Sequence, residues 1–256
     1  LYVAAERFRD VRRRIAAWER HNNTTASNLI VMRCDSNSTP NLGKGIDLEA
    51  LRAEHPRLIT CSLTGYGPDG PYRDRRAYDL LIQSETGLVS LAGTPEAAAK
   101  VGVSVADVSG GMYCYSNILL ALLERERTGV GSHVDVALFD TLLEWLSHQV
   151  LTAELLERLP RRAGARHATI APYGPFPCSD GEVVIAVQNT REWRDLCDAL
   201  NLGPIVDDER FTDNEGRVAN AAALDAAITE RTAATVSRAA PSDSRSVTPM
   251  QTAHNW

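Results

Sequence analysis

The sequence has no long apolar run. Its longest apolar stretches, such as residues 118–123, fall far short of the roughly 20 residues a membrane-spanning helix needs. No membrane partner is therefore expected. No signal peptide is expected from the first twenty residues, which are crowded with charge and hold no apolar segment. The five cysteines (Cys34, Cys61, Cys114, Cys178, Cys197) form no C-x-x-C pair, and their number is odd. With Cys61 and Cys114 in apolar stretches, this predicts reduced, buried thiols and a cytoplasmic protein. The six histidines are scattered, with neither H-x-x-x-H spacing nor a Cys/His cluster, so no metal site is expected. There is no G-x-S-x-G elbow, P-loop or H-E-x-x-H, which removes the local evidence for serine-hydrolase, NTPase and zincin chemistry. An excess of positive charge is missing too. The net charge of -6 argues against nucleic acid as a general partner.

What is present is the text of a globular protein. The 256 residues suffice for one large domain or two modest ones with a real core. Apolar residues Ala4, Phe8, Val11, Ile15 and Trp18 recur at helical spacing. NLIVM, within the polar stretch that follows, reads as a strand. From Asp47 the pattern is regular. DLEALRAEHP predicts a short helix burying Leu48, Leu51 and Ala53. RLITCSLT predicts a buried strand. AYDLLIQSETGLVSL fits a helix followed by a glycine-marked turn. VGVSVA reads as a short strand or extended run, and a helix over GGMYCYSNILLALLERERTG is capped by Gly129. SHVDVALFD alternates as a strand, with Val134, Val136 and Leu138 on one face. Thr141 and Glu144 form a capping box for the next helix, which continues through Leu142, Leu146, Val150 and Leu155. Strands alternating with helices argue for α/β layering.

After the linker-like LPRRAGARHATIAPYG the pattern changes. FPCSDGEVVIAVQN predicts a hairpin turning at Ser179-Asp180-Gly181. REWRDLCDALNLG predicts a helix with Trp193, Leu196, Cys197 and Leu200 on one side, and a further helix ends the stretch from Glu209 to Thr235. The expected organisation is a divergent segment over 1–46, part of a large α/β domain over 47–165, a small α+β domain over 166–235 and a disordered tail over 236–256.

Two motifs need weighing. GYGPDG, residues 65–70, fits G-x-G-x-x-G after a strand. Pro68 removes an amide, Pro71 follows at once, and no apolar helix face comes next, so a tight loop is the reading rather than a dinucleotide fingerprint. Arg73, Arg75 and Arg76 beside it are either a solvated loop or a phosphate contact. In VSVADVSGG, Asp107 precedes Ser-Gly-Gly and a helix. That is the place of an N-cap. An N-cap is the commoner role for such an Asp, but the place also suits a covalent nucleophile beside small neighbours, Gly110 and Gly111, with free amides to steady an oxyanion. Spacing does not choose between the two.

Read together, these pieces carry a resemblance. DLEALRAEHPRLITCSLTGYGPDGPYRDRRAYDLLIQSETGLVSLAG, then KVGVSVADVSGGMYCYSNILLALLERERTGVGSHVDVALFD, then RHATIAPYGPFPCSDGEVVIAVQNTREWRDLC and DERFTDNEGRVANAAALDAAI, resemble the class III CoA-transferases over residues 44–230. The resemblance implies an incomplete Rossmann-like large domain plus a smaller α+β domain, and an interlocked homodimer when the fold is complete. It implies an acyl-CoA donor and a carboxylic acid acceptor as substrates, with coenzyme A thioester consumed rather than any cofactor permanently bound. The family's nucleophilic aspartate falls on Asp107. Arg76, Tyr78, Gly110 and Gly111 fall at CoA- or substrate-binding positions, the two glycines beside the nucleophile. GARHATIAPYGPF looks most like members handling dicarboxylates such as succinate or mesaconate, and makes His167 and Tyr173 candidates for lining the site or for strand-start structure. The α-methylacyl-CoA racemase branch would carry a histidine at Tyr78. A tyrosine, with an ordinary pKa of about 10, suits proton abstraction at neutral pH poorly. Residues 1–43 and the stretch after 235 do not match the family pattern. An inactive fragment that binds acyl-CoA or dimerises is therefore a third reading.

Overall fold

The computed structural model describes residues 2–3, 30–35, 47–157, 160–234 and 247–249, with side chains for 47–157 and 160–234. It mixes helices and strands and separates into two compact units. The first holds the described residues up to Ala92 together with Ala98–Pro160. The second holds Gly93–Ala97 and the described residues from Arg161 onward.

The first unit is built on a parallel sheet of strands β1 (Tyr2–Val3), β2 (Ile30–Asp35), β3 (Ile59–Thr64) and β4 (His133–Ala137), in that order. β3 is the most buried of the strands with described side chains, as its run of β-branched and apolar residues requires. Helix α1 (Leu48–Glu54) leads into it. Asp47 caps α1 by accepting the Ala50 N–H at 2.9 Å. Leu48 and Leu51 are buried, but Ala53 points to solvent, correcting its expected burial. Tyr2–Val3 are strand where a helical face was expected. The rest of that expected helix lies outside the described residues.

Between β3 and β4 the chain forms α2 (Asp79–Glu85), α3 (Leu88–Leu91) and the long α4 (Val105–Thr128). Residues 65–70 open no helix. They form the tight loop expected of them, with Gly67 and Gly70 at positive φ. α4 lays Cys114, Ile118 and Ala121 on Ile59, Cys61 and Val136 of the sheet. It ends where expected, at Gly129 in the left-handed conformation, whose N–H bonds the Arg125 carbonyl. Its other face carries Val108, Met112, Tyr115, Leu119 and Leu123, all exposed and all at helical spacing.

Two expectations fail around α4. Val101–Ala106 do not extend into a strand. The helix begins at Val105, five residues before the predicted start at Gly110. The capping box at Thr141 does not form either. Helix α5 (Leu138–Trp145) starts directly from β4, so Leu138 is helical and Thr141 lies inside the helix. There the Thr141 hydroxyl is buried, 3.1 Å from the Ser109 hydroxyl of α4. A second helix, α6 (Ser147–Leu156), follows the break at Leu146, and its Val150 and Leu155 are exposed.

The second unit is an antiparallel sheet, β5 (Tyr173–Cys178), β6 (Gly181–Ala186) and β7 (Val247–Pro249). The hairpin turns at Ser179 and Asp180, with Cys178 paired to Gly181. β7 lies within the segment expected to be disordered, and it pairs with β6. The remainder of that segment lies outside the described residues. Helices α7 (Thr190–Ala199), α8 (Gly203–Val206), α9 (Asn214–Ala219) and α10 (Ala221–Thr232) complete the unit. Its core gathers Phe176, Ile185, Trp193, Leu196, Cys197, Leu224 and Ile228.

Candidate active site

Asp107 is the third residue of α4, not its cap. The capping position belongs to Ser104, whose side chain makes no capping bond. The first-turn amides are therefore served differently. Val105 bonds back to the Val103 carbonyl at 2.9 Å, and Ala106 donates to Asp79 Oδ1 of α2 at 3.0 Å. The Asp107 N–H has no acceptor among the described residues. A helix start of this kind offers a developing oxyanion a fixed donor in a favourable field.

The Asp107 carboxylate faces solvent on one side, yet its partial burial raises it above the ordinary carboxylate value. The negative Asp79 nearby raises it further. A more basic carboxylate is a better nucleophile once ionised.

Gly110 and Gly111 differ sharply. Gly110 is buried, and a Cβ there would meet Leu138 Cδ2 at 2.5 Å and Leu63 Cδ1 at 3.1 Å. It lets α4 approach α5 and β3 closely, so its place is in the packing rather than on the open surface. Gly111 is exposed, and a Cβ there would meet nothing within 4 Å. It lies one helical turn beyond Asp107 on the same face, leaving open space beside the carboxylate.

Arg76 and Tyr78 flank Ala77, which is buried and packed against Gly65 so closely that Gly65 has no room for a side chain. Tyr78 is extended, at φ −130° and ψ 156°. Alternation about buried Ala77 turns both Arg76 and Tyr78 outward. Tyr78 immediately precedes Asp79, so the Asp79–Ala106 bond sets it beside the Asp107 turn. Arg76 forms no ion pair among the described residues, whereas Arg75 sits 3.7 Å over the Tyr72 ring and 3.8 Å from Glu85. Arg73 is paired with Asp74 at 3.3 Å, so of the three arginines Arg76 is the one without an ion pair among the described residues.

His167 and Tyr173 belong to the second unit, where their rings lie 5.2 Å apart and the His167 N–H bonds the Tyr173 carbonyl. Asp79 and Gln83, which bond the chain on either side of Ser104, were not picked out by sequence reasoning. Their i, i+4 spacing on a predicted helix was the available signal, and Gln83 Nε2 does donate to Asp79 Oδ2 at 2.7 Å.

The sequence profile of CoA-transferase family III matches residues 37–243, which corrects the expectation that residues 37–43 and the stretch just after 235 fall outside the family pattern. The chain belongs to CoA-transferase family III. Relatives of known activity agree. The chain is 42% identical over 177 residues to a succinate–glutarate CoA-transferase of Agrobacterium fabrum, covering 69% of this chain and 44% of that enzyme. It is 37% identical over 186 residues to an acetyl-CoA:oxalate CoA-transferase of Acetobacter aceti, covering 72% of this chain and 48% of that enzyme. Among solved structures, a CAIB/BAIF family protein from Brucella suis superposes with a TM-score of 0.72 at 37% identity, covering 89% of this chain and 61% of that one. This family III chain thus spans under half the length of these two enzymes. Among its described residues, no helix is long and apolar enough to cross a membrane.

Proposed function

We propose that this chain carries the reacting centre of a CoA-transferase that moves CoA from an acyl-CoA thioester to a dicarboxylic acid, with Asp107 as covalent nucleophile. Asp107 attacks the thioester carbonyl carbon. The C–S bond breaks, giving a mixed aspartyl anhydride and CoA thiolate. The thiolate then attacks the aspartyl carbonyl carbon of the anhydride, which frees the donor acid and leaves an aspartyl-CoA thioester. The acceptor carboxylate repeats the sequence in reverse, and Asp107 is regenerated. No water is consumed, so each intermediate keeps the activation of the thioester.

The observation that carries this reading is the placement of Asp107 on an accessible first helical turn, beside an amide without an acceptor among the described residues and the open space at Gly111. The family relationship supplies the chemistry, and the names of the related enzymes supply the dicarboxylate class. Arg76 and Tyr78 are assigned to the CoA or acyl group because both project outward next to this turn. A Rossmann-like arrangement is supported by the parallel order of β1–β4. An interlocked homodimer is supported by the apolar outer face of α4, which is unlike an ordinary solvated surface.

The test is chemical trapping. The chain is incubated with succinyl-CoA and with a panel of other acyl-CoA thioesters, quenched with hydroxylamine and digested. An aspartyl hydroxamate at Asp107, absent in Asp107→Ala, is the expected result. An unmodified Asp107 with every donor overturns the reading.

A further inference from the structure

Asp79 makes two bonds of different kinds with one carboxylate. Oδ1 accepts the Ala106 N–H at 3.0 Å, and Oδ2 accepts Gln83 Nε2 at 2.7 Å. Gln83 is fully buried, and its Oε1 accepts the Val101 N–H at 2.9 Å. Two side chains of α2 therefore hold the approach to α4 at Val101 and its first turn at Ala106, one residue before Asp107. Ser104 supplies no cap of its own. A carboxylate borrowed from another helix does that work.

We propose that Asp79 is a positioning residue for the transfer reaction: its carboxylate clamps the turn that carries Asp107, and Gln83 locks that carboxylate in place. The inference rests on Asp107 being the nucleophile. Because the clamp is itself an anion, it also acts on the group it positions. Its charge favours the protonated form of Asp107 and so adds to the effect of burial. Other charged groups surround this region. Arg76 precedes α2, and Lys100 precedes α4 and donates to the Val101 carbonyl. α2 also presents Glu85, which pairs with Arg75, and α5 presents Asp140 and Glu144, of which Glu144 bonds Tyr113. After burial, the charge of Asp79 is what raises the Asp107 carboxyl.

The experiment separates clamp from charge. Asp79→Asn keeps an acceptor for Ala106 but removes the charge. Because its amide would face the Gln83 amide, a second variant combines Asp79→Asn with Gln83→Glu. That pair restores donor-to-acceptor pairing and moves the charge away from Ala106. Asp79→Ala removes the clamp. Asp140→Asn is the control. Carbon-13 NMR titration of the Asp107 carboxyl, assigned by comparison with Asp107→Asn, is read beside the pH dependence of Asp107 acylation by succinyl-CoA. In both Asp79→Asn forms the Asp107 midpoint and the acid limb of acylation are expected to move together to lower pH, and in Asp140→Asn to stay. In Asp79→Ala the acylation rate constant at saturating donor is expected to fall about ten- to a hundredfold, as misplacement of a reacting group does. Half-saturation by the donor should change far less. A wild type that takes up no acyl group overturns the nucleophile reading and this inference with it. An acylated wild type whose midpoint and acid limb do not move in either folded Asp79→Asn variant overturns this inference alone.

Discussion

Asp79 Oδ1 and the Ala106 amide nitrogen lie 3.0 Å apart, joining the start of one helix to the start of another. Through this bond RRAYD and VSVADVSGG, far apart in sequence, become neighbours. The first turn of α4 depends on the contact, since its own capping residue makes none.

Asp107 titration should be visible in both rate and stability. Burial, and then Asp79, hold its pKa above the ordinary carboxylate value. Attack needs the ionised form, so acylation should rise with pH through a midpoint above about 3.9, the usual Asp value. The linkage sign follows from a folded-state pKa above the unfolded one. Asp107 contributes its stability below the unfolded pKa and loses it as pH rises through the folded value. The stability of wild type relative to Asp107→Asn, measured by urea melts, should therefore decline over that same window. A flat difference across it contradicts the shift.

The two glycines should respond oppositely to one added methyl group. Gly111→Ala meets open space and removes a helix-interior glycine, so it should stabilise by roughly 0.5–1 kcal/mol. It should also slow acylation of Asp107 by crowding the donor's approach. Gly110→Ala collides with Leu138 and Leu63 and should cost about 1–3 kcal/mol. Thermal melts and hydroxylamine trapping on the two variants decide the matter.

Much of this was legible in the sequence, and the failures have physical causes. β3 was readable because a buried parallel strand needs a continuous apolar, β-branched run. Gly129 was readable because a helix ending in the left-handed conformation favours glycine. The start of α4 was not. Val101, Val103 and Val105 alternate like a strand, and the acceptor for the Ala106 N–H of the first helical turn is a carboxylate 27 residues away, Asp79. Thr141 and Glu144 have capping-box spacing, but the Thr141 hydroxyl bonds within the helix and to Ser109 instead. Asp107 was found through resemblance. Its neighbour Asp79 lies in RRAYD, 28 residues upstream; the i, i+4 spacing to Gln83 hints at their local pair, but nothing in the sequence signals the tertiary bond to Ala106.

In the second unit, Arg217 is a buried cation whose Nε donates to the Ala171 carbonyl at 2.8 Å and Nη1 to the Phe211 carbonyl at 3.0 Å. It also lies 5.3 Å from the Trp193 ring centroid. Arg217→Met fills the volume but leaves two carbonyls without donors, and should cost about 2–4 kcal/mol. Differential scanning calorimetry would register it. An unchanged transition would show the bonds to be dispensable.

Thiol labelling should follow burial. Cys61, Cys114 and Cys197 are enclosed, and burial pushes Cys197 up to about 12. Under native conditions all three should resist iodoacetamide at pH 8 until denaturant is added. Rapid native alkylation of any of them, located by mass spectrometry, contradicts the packing.

The apolar face of α4 predicts self-association. Tyr115→Glu combined with Leu119→Glu should shift sedimentation from dimer toward monomer without loss of helical circular dichroism, since both side chains are already exposed. A wild-type chain that sediments as a monomer contradicts the proposed dimer.

The five residues Gly93–Ala97 have a consequence for dissection of the chain. They are separated in sequence from the rest of the second unit, yet are bound to it by Gly164 N–H to the Gly93 carbonyl at 2.9 Å and by Arg162 to the carbonyls of Thr94 and Pro95 at 2.8 and 3.1 Å. No single scission yields two self-sufficient pieces. A cut after Pro160 strips Arg162 of its acceptors and strands residues 93–97 in the wrong fragment. Protease-nicked protein should therefore stay together until it is denatured, and gene fragments divided at that point should recover their fold only when expressed side by side.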